Sequence, residues 1–242
     1  VAMIDWDTVG KEVTVYLQDL IRLDTTNPPG NETAAARYLQ RILWREGFEP
    51  TLVESEPGRG NILATLPGGG EKTLMLLGHT DVVAVEPEHW THPPFSGVLV
   101  DGYVWGRGAL DMKNMVAANL MVFLLLKRQG VALDRDIVFA ATADEEAGKG
   151  DHGPGWIMDH RPELWDAPLI VTEGGGSDFA VGDQRFVTCQ TGQKGLCRLQ
   201  VIAQGTPGHG SMPHSDSAIL KLSKALAGLQ GAVLPAHISE SV

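Results

Sequence analysis

The chain is short of positive charge and of cysteine, and each shortage argues against a class of protein. Its 242 residues include 19 lysines and arginines against 30 aspartates and glutamates, a formal net charge of -11. Without a basic surface to neutralise phosphates, a nucleic-acid partner is not expected. The two cysteines, Cys189 and Cys197, could form a disulfide across a hairpin. Two free thiols in a reducing cytoplasm are the favoured interpretation.

Long hydrophobic runs are also missing. The longest apolar stretch runs from Met115 to Leu126, is interrupted by Asn119, and is too short to span a bilayer. The first seven residues have neither the basic region nor the apolar core of a signal peptide. A hydrophobic share of 43% is nevertheless typical of a folded globular chain. We therefore predict a cytoplasmic protein with no membrane partner.

Three short apolar runs each end in a group of histidine or acidic residues. The runs cover residues 74–77, 137–141 and 169–171, and the groups that follow them are His79 with Asp81, Glu145 with Glu146, and Glu173. Apolar runs bounded by turn residues are typical of buried strands in a parallel sheet. Ligand sites in open α/β sheets gather at the carboxyl ends of such strands. We therefore expect these side chains to share one crevice, together with Asp111.

The wider pattern predicts an α/β fold with a mixed, largely parallel sheet between helices. Helices are predicted at residues 8–23, from the cap Asn31 to 46, at 112–129, near Trp156 and at 218–229, and strands at 51–54, 61–66 and the three runs above, with a hairpin at 98–105. After residue 184, two further strands at 186–190 and 196–203 indicate the beginning of a small α+β domain. The predicted domains are therefore residues 1–183 and 184–242.

The residue types at these strand ends suit a metal site. Imidazole nitrogen and carboxylate oxygen are preferred ligands of zinc and similar dications. The candidate ligands are His79, Asp111, Glu146 and Glu173. A carboxylate such as Asp111 can bridge two metal ions about 3.5–4 Å apart. Asp81 is placed to accept the second ring proton of His79, and Glu145 to act as a general base.

Each motif also has an interpretation without function. A single His-x-Asp pair is usually a loop feature, and an acidic run such as residues 144–146 is usually a solvated surface. Glu173 before three glycines is compatible with a simple turn, and Asp111 could cap a helix that starts at Met112. The metal-site interpretation is favoured because the groups occur together, each after a predicted strand.

Six motifs in order carry a family resemblance. They are residues 78–83, Trp90 with residues 94–97, residues 106–113, 144–146, 173–175 and 208–213. Together they resemble the M20 family of metallopeptidases and amidohydrolases. That family includes aminoacylase, acetylornithine deacetylase, succinyl-diaminopimelate desuccinylase and carboxypeptidases of the glutamate-releasing type.

The resemblance implies a dinuclear zinc hydrolase. One metal would be held by His79 and Glu173, the other by Glu146, with Asp111 bridging them, and manganese or cobalt are alternatives to zinc. The implied catalytic residues are Glu145 as general base, Asp81 as support for the histidine, and His209 as a lid residue that helps to hold the substrate carbonyl. The implied activity is hydrolysis of an amide bond in N-acyl amino acids or small peptides by a metal-bridging water.

The resemblance also implies that the chain is C-terminally truncated, because family members are considerably longer. Residues 1–183 would be an incomplete metal-binding catalytic domain, and residues 184–242 a partial lid and dimerisation domain. The expected partners are a small-molecule substrate, a second copy of the chain through the lid, and the missing C-terminal segment. Two alternatives stay open: an inactive metal-binding relative, and one half of a split enzyme.

Overall fold

The structure is a computed structural model that describes residues 3–70, 73–148, 150–174, 177–188, 199–212, 214–233 and 235. The chain forms two compact units, Val1–Glu173 and Gly174–Val242. The functional division at residues 183 and 184 stays a prediction. Cys189 and Cys197 lie outside the described residues. In the part of the chain that the structure describes, every helix is too short or too polar to span a bilayer.

The first unit is built on one mixed sheet and a separate hairpin. The sheet strands are β1 (Thr51–Glu54), β2 (Gly60–Leu66), β3 (Leu74–His79), β6 (Ile137–Thr142) and β7 (Leu169–Val171), and the hairpin strands are β4 (Val98–Val100) and β5 (Tyr103–Trp105). The sheet order is β1-β2-β6-β3-β7. Strand β3 runs parallel to β6 and β7, whereas β2 is antiparallel to β1 and β6. The predicted fold class, a mixed sheet between helices, is confirmed.

Four helices flank this sheet. They are α1 (Trp6–Arg22), α2 (Glu32–Arg45), α3 (Lys113–Arg128) and α4 (Pro154–His160). The side chain of Asp5 caps α1 by accepting from the backbone N–H groups of Asp7 and Thr8. Asn31 occupies the N-cap position of α2 as expected, but its side chain makes no capping hydrogen bond and instead donates to the carbonyl of Asp24 at 3.4 Å.

The strands alternate between two apolar layers, as a period of two requires. On one face, Ile62, Leu76 and Phe139 pack against α1, α2 and α3. On the other face, a smaller cluster that includes Met75 and Val138 packs against α4. The sequence also predicts a buried β7, and this is wrong: its three residues are 43–46% exposed because the strand lies at the sheet edge.

The second unit contains a hairpin and a helix. Strands β8 (Asp178–Val181) and β9 (Gln184–Val187) pair antiparallel, and α5 runs over Ala218–Ala227 with its first turn capped by Ser217. The sequence places a strand at 186–190, but the observed strand ends at Val187 and its partner precedes it. The strand predicted at 196–203 is wrong for residues 199–203, which are irregular, while 196–198 and the connection at 192–195 lie outside the described residues.

Helix α3 offers a direct test of the main core. Phe123 is fully buried and stacks on Phe48 with ring centroids 4.5 Å apart, whereas the next side chain along, Val122, is 49% exposed. We expect Phe123→Ala to lower the free energy of unfolding by about 3–5 kcal/mol, from lost burial and the cavity it leaves. Val122→Ala should change it by about 0.5 kcal/mol or less. Urea denaturation of both variants checks this, and equal losses would contradict the packing described.

Candidate metal centre

Five of the predicted site residues lie together at the carboxyl ends of β3, β6 and β7, namely His79, Asp111, Glu145, Glu146 and Glu173. His79 ends β3, and its Nε2 lies 3.0 Å from Asp111 Oδ1, 3.3 Å from Glu173 Oε1 and 3.9 Å from Glu145 Oε2. Donor atoms of His79, Glu145 and Glu173 lie within 4.8 Å of one another, as do those of His79, Asp111 and Glu146. The parallel register brings them together, because His79 pairs with Thr142 at the end of β6.

The second ring nitrogen of His79 faces Asp81. Its Nδ1 lies 3.0 Å from the Asp81 carbonyl oxygen and 3.3 Å from the carboxylate Oδ1. Either acceptor favours a proton on Nδ1, so Nε2 is the ring nitrogen that would bind a metal ion. The nearer acceptor is the backbone carbonyl, although the sequence points only to the side chain.

The Asp81 carboxylate also organises the loop after β6. Asp81 is fully buried. Its Oδ1 accepts from the backbone N–H of Glu145 at 3.1 Å, and its Oδ2 accepts from the backbone N–H of Glu146 at 3.0 Å. Asn27 Nδ2 donates to Oδ2 at 2.8 Å. Burial raises the pKa of this carboxyl, but the hydrogen bonds from His79 and Asn27 outweigh burial and lower it overall. Asp81 is therefore a charged acceptor that holds both glutamates by their backbone.

The electrostatics of the cluster reflect a surplus of negative charge. Burial lowers the pKa of the His79 imidazole, but Asp81, Glu173 and Glu145 outweigh it and raise that pKa to about 9. Burial and the Asp111 charge raise the pKa of the Glu146 and Glu173 carboxyls. Carboxylates this close repel one another, and a bound dication would relieve that repulsion. The donor set of one imidazole and several carboxylates therefore fits a divalent metal ion.

Asp111 is presented by the start of α3, which a buried lysine anchors. The N-cap position of α3 belongs to Met112, so the alternative that Asp111 caps this helix is wrong. Lys113 is fully buried and its Nζ donates to the carbonyls of Leu20 at 3.0 Å and Leu23 at 2.8 Å, at the end of α1. Burial lowers its pKa to about 8. The sequence motif contains this lysine but gives no sign of its anchoring contact.

His209 lies in the second unit, in an exposed turn. Its Nδ1 is 2.8 Å from Ser211 Oγ. The turn precedes α5, and Thr206 ties it back by donating to the Asp216 carboxylate from its backbone N–H at 2.9 Å. The role implied for His209 stays a prediction.

Several buried polar residues near the cluster were missed at the sequence level. Asp144 has a left-handed backbone, with φ 65°, and its Oδ1 accepts from Asn27 Nδ2 at 2.9 Å and Arg59 Nη2 at 3.0 Å. Arg59 also forms a two-pronged ion pair with Glu32, at 2.8 and 2.9 Å. Isolated charged residues follow no period, so the only signal in the sequence was the position of Asp144 beside two glutamates.

Comparison with known proteins gives the same family as the motifs. Residues 75–237 match the model described as Peptidase family M20/M25/M40. The chain is 38% identical over 199 residues to succinyl-diaminopimelate desuccinylase of Paracoccus denitrificans, covering 81% of this chain and 50% of the relative. It is 34% identical over 219 residues to aminoacylase-1 of Sus scrofa, covering 88% and 52%. The chain thus spans about half the length of these relatives.

Solved structures match the fold. An M20 family metallo-carboxypeptidase from Sulfolobus solfataricus superposes with a TM-score of 0.58 at 24% identity, covering 68% of this chain and 38% of that one. Human carnosine dipeptidase 1 gives 0.57 at 23% identity, covering 69% and 39%. At these identities the likeness supports the fold alone.

The contacts of Asp81 generate a prediction about metal affinity. Asp81→Asn turns an acceptor that serves four N–H donors into a group with one acceptor oxygen and a competing NH₂. We expect Zn²⁺ affinity to fall roughly 10–100-fold, the usual effect of losing a residue that supports a metal ligand. The control is Asp24→Asn, because Asp24 accepts from Thr26 in an exposed turn and touches no candidate ligand. Competition titration measures both variants, and equal affinities would contradict the role given to Asp81.

Proposed function

The chain belongs to peptidase family M20/M25/M40, and from that premise we propose that it hydrolyses an amide bond with the help of two divalent metal ions. The observation that carries the proposal is the convergence of His79 Nε2 with Asp111 and Glu173 at 3.0 and 3.3 Å. Side chains 94 residues apart in sequence meet at one sheet edge, with the donor types that zinc prefers. A chance surface cluster would not bury the histidine to 3% exposure.

We assign the first metal to His79 and Glu173 and the second to Glu146, with Asp111 serving both. Zinc is the proposed ion, and manganese and cobalt suit the same oxygen-rich donors. When bound, such ions polarise the substrate carbonyl and lower the pKa of water. The first site has three protein ligands in this chain and the second has two, so we expect one tight and one weak site.

Glu145 is the proposed general base. Its carboxylate is 56% exposed and lies 3.9 Å from His79 Nε2. Glu145 therefore borders the cluster, and it lines a cavity beside His79 and Glu173. It would take a proton from the attacking water as the new carbon–oxygen bond forms, and then deliver that proton to the leaving amine nitrogen as the carbon–nitrogen bond breaks. His209 is proposed to support the oxyanion that forms on the carbonyl oxygen.

The proposed substrates are N-acyl amino acids or small peptides. The relatives that the chain resembles include a succinyl-diaminopimelate desuccinylase and an aminoacylase. A cavity of about 280 Å³ is lined by residues of the cluster, among them His79, Glu145 and Glu173. Another, of about 540 Å³, extends from Asp111 along aromatic residues of the β4–β5 hairpin. Both suit a small organic substrate better than a folded protein. A cytoplasmic location stays a prediction.

The division of roles between the two glutamates can be tested. Glu145→Ala should reduce turnover of an N-acyl amino acid by about 10²–10⁴ while bound metal stays nearly constant, because a general base acts on water without binding the ion. Glu146→Ala should lose metal as well as activity. Elemental analysis after chelation and reloading, together with turnover, measures both. Equal metal loss in the two variants would contradict the division.

The chain spans about half the length of these relatives, and a second candidate, one half of a split enzyme, is kept beside the first. In it, the chain binds metal but turns over substrate only with a further segment, supplied as a complementary half. The two candidates differ in one experiment. A companion polypeptide that covers the remaining length of a relative should restore turnover only under the second candidate. Under that candidate it should also co-elute with the chain on size exclusion.

We also propose that the second unit mediates self-association. Apolar side chains on and just after α5 are 51–76% exposed, namely Ile219, Leu220, Leu226 and Leu229. Exposed apolar patches of this kind drive association, which agrees with the dimerisation role that the family resemblance implies for residues 184–242.

Sedimentation velocity at micromolar concentration tests this contact. The unmodified chain should show a concentration-dependent dimer, and Leu226→Glu should shift it to monomer by placing a charge in the apolar patch. Lys224→Glu, an exposed change on the same helix, is the matched control. A monomer at all concentrations would reject the contact.

A further inference from the structure

The loop that carries Glu145 and Glu146 is held almost entirely by side chains from elsewhere. Ladder pairing of β6 ends at Thr142. Beyond it, the N–H of Ala143 donates to Asn61 Oδ1 at 2.9 Å, and the N–H groups of the two glutamates donate to Asp81. The remaining residue of the turn, Asp144, is fixed through its side chain. The geometry of both glutamates therefore depends on what holds Asp144.

Asp144 is held by two donors in a buried site. Its Oδ1 accepts from Asn27 Nδ2 and from Arg59 Nη2, and the residue is 3% exposed. Its φ of 65° is left-handed, a conformation that is uncommon for residues other than glycine and that aspartate adopts more readily than most. Asn27 uses the same NH₂ group to reach Asp81 Oδ2 at 2.8 Å. One amide thus links the carboxylate that supports His79 to the turn that presents the glutamates.

Arg59 is in turn held from three directions. Its Nε and Nη2 bind the two oxygens of Glu32, which is fully buried at the start of α2, and its Nη1 donates to the Pro29 carbonyl at 3.2 Å. The backbone at Gly30 passes so closely that a Cβ there would lie 2.5 Å from Arg59 Nε. The contacts with Glu32 and Pro29 hold the guanidinium where Nη2 also donates to Asp144.

Stability alone is a poor explanation for this network. Buried ion pairs contribute little net stability, and apolar residues of similar volume often replace them at no loss. What such a network supplies is a defined geometry, because the directions of its hydrogen bonds are fixed. Arg59, which Glu32 holds, and the amide of Asn27 both donate to Asp144. The turn at Asp144 presents the two glutamates that follow it.

We propose that Asn27, Arg59 and Glu32 are positioning residues, which fix the Asp144 turn so that Glu145 and Glu146 face the metal centre. This inference rests on the proposed function for the roles of the two glutamates. It predicts that damage to the network alters metal coordination as well as folding, although its residues are 20 or more positions in sequence from every candidate ligand, Arg59 and His79 being the nearest pair.

Co²⁺ added alone to the chelator-treated chain is the probe, because its visible absorption reports the geometry of its ligands. Arg59→Met removes the donors to Asp144, and Asn27→Ala removes the shared amide without changing charge. In folded protein, each should weaken Co²⁺ affinity about tenfold or more and change the visible band. Arg59→Lys keeps the charge but not the two-pronged geometry, so it should recover part of the affinity.

The control is Arg128→Met. Arg128 also forms ion pairs with two glutamates, Glu12 and Glu46, but at the far end of α3 from Asp111. It should lower thermal stability and leave the Co²⁺ band and affinity unchanged. Far-UV circular dichroism verifies folding in every variant, and if Arg59→Met does not fold, Asn27→Ala decides.

A folded Arg59→Met or Asn27→Ala protein with the unmodified affinity and spectrum would overturn the positioning proposal alone. Failure of the unmodified chain to bind Co²⁺ would overturn the proposed function, and the positioning proposal with it.

Discussion

The arrangement of the site depends on the buried carboxylate of Asp81. It lies next to His79 Nδ1 and accepts hydrogen bonds from Asn27 and from the backbone of both glutamates. A buried charge is costly unless hydrogen bonds replace its hydration, so this carboxylate keeps its donors in place. The same residue therefore sets the ring orientation at the end of β3 and the course of the chain after β6. Two strands of the parallel sheet are joined at their functional ends by one side chain.

The second constraint is charge. Around one imidazole the fold collects carboxylates from three strand ends and the start of a helix. Burial, together with the charge of Asp111, raises the pKa of the Glu146 and Glu173 carboxyls. The buried cations nearby, Arg59 and Lys113, are committed elsewhere: one binds Glu32 and Asp144, the other the last carbonyls of α1. Neither neutralises the cluster directly. A divalent ion is the partner that this charge distribution favours.

Much of this architecture followed from local patterns. Strands β1 and β7 have the bounds that apolar runs predict, and the Asp101-Gly102 turn joins β4 and β5 as expected. The errors arose where a local rule met a competing contact. Asn31 looks like a cap, but its side chain donates to the Asp24 carbonyl. The run at 169–171 looks buried, but strand order places it at an edge, which composition does not encode.

The sequence by itself determined the candidate ligands and the place where they meet. The reason is that His79, Glu146 and Glu173 each come shortly after an apolar run of strand length, and the carboxyl ends of parallel strands share one edge. Asp111 follows no such run and was identified by its sequence motif. Only the tertiary structure decided how those ligands are held. The links from Asn27 to Asp81 and from Arg59 to Asp144 join residues 54 and 85 positions apart. Such contacts leave no periodic trace in the chain, because hydrogen bonds between distant side chains depend on packing in three dimensions.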